Sequence, residues 1–176
     1  MHATSREKPD LEHAGQELFD YAMDREDIKY LVGLLPSETK AAHNTVTYEL
    51  QLLKIVTIGW TISYHLQDHP LKKMLSELFW QAVQQLSHSL SQTAGLMIGK
   101  DIDYFGTVKK RLDGYVNAMS RRPEAQTPAA VIGAEFARHC GDGNDLFALM
   151  SGSKMFHSTC TRVQRYLEHL LAGSDG

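Results

Sequence analysis

Between residues 37 and 68 the polar positions recur at three- and four-residue steps. Lys40, His43 and Thr47 form one run, and Lys54, Thr57, Thr61, His65 and Asp68 a second. Such steps draw one stripe down an α-helix. Within them lies "VTIGWTISYHL", residues 56–66, where Val56, Ile58, Trp60, Ile62, Tyr64 and Leu66 alternate with smaller or polar residues. Taken alone, that alternation is the signature of a half-buried strand, and its β-branched content agrees. A lone strand has no partner, however, and no second strand candidate exists in the chain. The stripe also passes through the alternating stretch without a turn. The pattern therefore predicts a helix over 37–68, roughly 45 Å long at 1.5 Å per residue. Its remaining surface is almost all apolar, as for a central, buried helix.

The flanking segments carry the same period. Leu11, Leu18, Phe19 and Ala22 mark a first helix, and Asp24 caps a short second one with Ile28, Leu31, Val32 and Leu35 inward. Ser37 is the expected cap of the long helix. Pro70 opens the next, which runs to about residue 97 on Leu71, Met74, Leu75, Leu78, Phe79, Val83, Leu86 and Leu90. Asp101 is the expected cap of a helix bearing Ile102, Phe105, Val108, Leu112, Tyr115, Val116 and Met119. Thr127 and Pro128 open another after the polar loop 121–128. The last is expected from about Asn144 to Leu171, with Phe147, Met150, Phe156, Cys160, Val163, Leu167 and Leu170 inward. The expectation is an all-α, single-domain bundle of five or six helices around the buried helix 37–68. Residues 1–9 read as a mobile tail, 10–172 as the domain and 173–176 as a frayed tail.

Composition narrows the function classes. The 176 residues carry 18 basic and 21 acidic side chains, a formal charge of −3, which disfavours nucleic acid as a partner. No apolar run of membrane-spanning length occurs. The two cysteines, Cys140 and Cys160, form no CxxC pair and read as free thiols of a reducing cytoplasm.

Each motif with chemical potential is incomplete. His65 and His69 have the i, i+4 spacing that chelates zinc or iron, with Asp68 between them, but Pro70 ends the helix there. His157 and Cys160 are one turn apart, as a thiolate and its base would be, yet Cys160 lies on the apolar stripe. Glu135 and His139 read as a surface pair. Ser151-Gly-Ser-Lys154 matches two letters of an acylating motif, without its supporting strand. "GLMIGKD" is too short for a phosphate loop, and "DGND" lacks the ligands of a calcium loop.

With no convergent polar set, the sequence favours a non-catalytic regulatory or adaptor module that acts through protein–protein contacts, as a homodimer. Trp80, about 100° away from Phe79 round its helix, is the expected interface anchor. The alternative is a sensor for a small apolar ligand, lined by His43, Trp60, Tyr64, His157 and Cys160, or for a metal at His65, Asp68 and His69. An enzyme ranks third. No cofactor is expected.

Overall fold

The computed structural model describes residues 10–174 except 40, 125 and 126. Their regular structure is entirely helical: α1 Leu11–Met23, α2 Glu26–Gly33, α3 His43–His65, α4 Lys72–Ile98, α5 Tyr104–Ser120, α6 Pro128–His139 and α7 Leu146–Ser174. Six helices of twelve residues or more form the bundle, and the eight-residue α2 braces it. None is long and apolar enough to cross a membrane.

The alternating stretch is helical throughout, and α3 contacts each of the other six helices. Its burial extends to the polar stripe. Lys54, Thr57 and Thr61 are buried along with Leu52, Leu53, Ile55 and Ile58. The stripe that reveals the period is thus a seam between helices rather than a solvent face. Lys54 and Thr61 find partners locally or across the seam, whereas the buried Thr57 hydroxyl has none among the described residues. Thr61 donates to the Thr57 carbonyl at 2.7 Å, and the Lys54 ammonium reaches α1 and α2.

α3 begins six residues later than the pattern implies, at His43, with no side-chain cap. Ser37 does not cap α3; residues 37–39 lie in a turn. The cause is distant in sequence. The Asp145 carboxylate accepts from the Ala41 amide and the Thr39 hydroxyl, each at 3.3 Å, which holds the approach to α3 outside the helix. Its other oxygen accepts from the Phe147 and Ala148 amides and so caps α7. In the same way α5 is capped by Asp103, not Asp101. Asp103 accepts from the Gly106 amide at 2.9 Å, and Ile102 is left outside the helix and exposed.

Glycines set the closest crossings. A Cβ on Gly59 would lie 2.1 Å from the Trp80 indole, so α3 and α4 meet only because that position has no side chain. At the α6–α7 crossing, a Cβ on Gly133 would lie 2.6 Å from the Leu149 carbonyl, and one on Gly152 2.6 Å from Phe136. This close approach involves the Ser151-Gly152-Ser153 segment of α7. It also turns α7 so that Ala148, Ser151, Gly152 and Met155 face inward. Phe147 and Met150, expected inside, are exposed. On α4 the buried line is Leu75, Phe79, Val83 and Ser87. Met74 and Leu90 are exposed, because α4 is wedged between α1 on one side and α3 and α5 on the other.

Candidate functional site

Two groups of ionisable side chains are built into the bundle. The first surrounds Lys54. Its ammonium, fully removed from solvent, donates to the Asp24 carbonyl at 2.6 Å and pairs with the Asp27 carboxylate at 2.9 Å. It also lies 4.3 Å from the centre of the Tyr21 ring, and the Arg162 guanidinium lies 4.1 Å from the same ring. Burial pushes Lys54 below its ordinary pKa, and Asp27 opposes that shift. Above this group an open cleft of about 420 Å³ runs between α1 and α7, edged by Glu17, Asp20, Asp24, Tyr21, Arg162 and Tyr166.

The second group lies between α3, α5 and α6. Glu49 is buried on α3 and receives both arms of the Arg111 guanidinium, at 2.8 and 2.9 Å. Beside the pair stand Tyr115, whose buried hydroxyl has no hydrogen-bond partner, and His139, whose ring meets the Tyr115 ring edge-on. His139 and Glu135 do not form the surface pair expected of them. Their ends face Gly114 of α5, where the missing side chain leaves room, and Nε2 is 3.5 Å from the Glu135 carboxylate. That is ion-pair range for a protonated ring but too long for a hydrogen bond, which leaves Nε2 unpartnered. Cys140 completes the group as a buried thiol pushed up to about 12, chiefly by burial and then by Glu49.

No family model, curated protein or solved structure matches this chain. The functional reading therefore rests on geometry alone.

The residues singled out in the sequence are dispersed. His65 ends α3, and His69 lies beyond the break at Leu66, its Nδ1 accepting from the Leu71 amide at 3.2 Å. Asp68 is exposed between them. Among the described residues, no group of three or more His, Cys, Asp or Glu is arranged to hold a metal ion. Three of the five pocket candidates, His43, Trp60 and His157, line separate openings. His43 is exposed on a groove beside α2, and His157 is exposed on the outer face of α7. Trp60 stacks on the exposed Tyr64 at 4.8 Å and covers an apolar gap of about 10 Å³, room for about one water molecule. The Cys160 sulfur lies 3.4 Å from the Thr61 hydroxyl, and burial raises its pKa, which keeps it a thiol. Trp80 fills the space over Gly59 and meets Phe105 edge-on, so packing within the chain accounts for its off-face position.

Sequence reasoning passed over the Glu49–Arg111 and Lys54–Asp27 pairs. The signal was present: Glu49 and Lys54 are the two charged residues in an otherwise apolar run of α3, and a buried charge demands a partner. Also unforeseen was the apolar end of α4. Leu96, Met97 and Ile98 are 90%, 79% and 63% exposed, and Ile102 follows in the next connection.

The histidine supplies a pH test. Burial, and secondarily the Arg111 charge, lowers the His139 pKa below its ordinary 6.5. The fold therefore prefers the neutral ring. As pH falls through about 6.5, the unfolded chain takes up a proton first, and stability declines until the folded-state pKa is reached. Above that window the contribution is fully present. The urea midpoint of His139→Gln is expected to fall less than that of the parent from about pH 7.5 to about pH 5.5. Parallel losses in the two proteins would show that His139 is not linked to folding.

Proposed function

We propose that this chain is a non-catalytic helical module that acts through protein–protein contacts, with a second copy of itself as its partner. The observation that carries the reading is the bare apolar end of α4. Scattered exposed apolar residues are ordinary, whereas contiguous ones mark contact surfaces. The internal chemistry points the same way, since the buried Lys54 is used on the half-buried Asp27 and the half-buried Arg111 on the buried Glu49. Such pairs position helices rather than reactants. A two-fold dimer is the commonest closed arrangement for a self-associating chain.

Sedimentation equilibrium at micromolar concentration tests this directly. The expected result is a mass approaching twice 19.8 kDa that declines on dilution. A single species at 19.8 kDa at every concentration removes the reading.

A further inference from the structure

We infer that the end of α4 inserts into the groove between α2 and α3 of a second copy, and that the exchange is reciprocal. The inference rests on the self-association just proposed and names the two surfaces that meet.

Leu96, Met97 and Ile98 are consecutive, so their side chains spread over about 200° of the helix. A flat surface can cover one side of such an end; a groove can enclose all three. Among the described residues, none covers them. α1 packs on α4 at Leu78, opposite Gly15, and ends within eight residues of Gly15 in either direction, well short of Leu96. The last buried residue of α4 is Ala94.

The groove has matching character. It encloses about 570 Å³, floored by Ile28, Val32 and Leu35, with Arg25, Lys29 and His43 on the rim. A side chain added at Gly33 would meet nothing within 4 Å, so the floor is open there. Charge favours the same pairing. The C-terminus of a helix carries a partial negative charge, and α4 has no basic residue in its last turn to offset it. Asp101 and Asp103 follow, with Lys100 the one cation in the connection. A negative helix end and two carboxylates would thus face Arg25 on the rim, where Lys29 is paired with Glu26 and the His43 ring is bonded to the Pro36 carbonyl.

Placement permits closure. The groove is formed in part by the first turns of α3, at His43 and Thr47. The connection leaving α4 arrives at Tyr104, whose ring contacts Tyr48 of α3 edge-on at 6.5 Å. Both surfaces therefore lie at one end of the bundle, and a two-fold axis beside that end can fill both grooves at once.

Two variants of the full chain divide the outcomes. Met97→Glu alters an exposed residue, and Gly33→Phe fills the groove without touching the core. Each is expected to weaken the dimer at least tenfold by sedimentation equilibrium, with helical content unchanged. Mixing the two is expected to recover association, because the heterodimer keeps one intact contact. A dimer indifferent to either variant overturns this inference and leaves self-association standing on another surface. A parent chain that is monomeric throughout overturns both. Loss of helical content in either variant is settled by Leu96→Glu and Val32→Lys, read the same way.

Discussion

Replacing Arg111 with methionine is expected to lower stability by about 3–5 kcal/mol, the cost of leaving a buried charge without its partner. Glu49 is 4% exposed along its side chain, and both its oxygens are engaged by Arg111. Methionine retains much of the stem of Arg111 but supplies no donor. The Arg111 side chain is 23% exposed and so meets water at its outer part, whereas Glu49 lies beside the buried Leu50 and Leu53. The companion result is sharper. Removing both charges, as Glu49→Leu with Arg111→Met, is expected to recover most of the loss, since apolar replacement of a whole buried pair is often neutral or stabilising. Urea unfolding of the single and double variants checks this. An Arg111→Met loss below about 1 kcal/mol would place the pair in the class of screened surface bridges.

The second large effect is expected at Gly59. Leucine there would put its Cβ 2.1 Å from the Trp80 indole, and the adjacent ring atoms are each within 2.8 Å. Neither partner can yield easily. Trp80 is held edge-on by Phe79 and Phe105, and α3 is fixed by six neighbouring helices. Overpacking of this kind costs about 1–3 kcal/mol. Gly33→Ala is the control: its Cβ meets nothing, and alanine is the better helix former, so no loss is expected. Thermal unfolding of the two variants distinguishes them. Equal stability would show that α4 moves aside and that the crossing is not tight.

The helices were legible because period survives burial. A residue's step along the chain is the same whether its side chain meets water or another helix, so the stripe from Lys54 to Asp68 identified α3 although much of it is buried. The period does not say what lies opposite. Trp80 falls outside the apolar face read for α4, yet the cover it needs is supplied by Gly59 and Phe105 on other helices. The start of α3 depends on Asp145, 104 residues from Ala41, and no local pattern encodes that bond. Glu49 and Arg111 are 62 residues apart. Many carboxylates and cations could pair on paper, and only tertiary packing selects these two. The candidate contact surfaces were hidden for a related reason. Leu96, Met97 and Ile98 read as the closing turn of an amphipathic helix, and only the early end of α1 shows them to be uncovered.

Trp60 and Trp80 are the chain's two tryptophans. One follows Gly59 on α3 and the other lies across it, so both chromophores sit at a single level of the bundle. Sixteen residues of helix, about 24 Å, separate Trp80 from Leu96. Intrinsic emission is therefore an optical gauge of the middle of the molecule, insensitive to events at the α4 end. If subunits separate there while each stays folded, emission is blind to the step, and a light-scattering change without a spectral one is its signature.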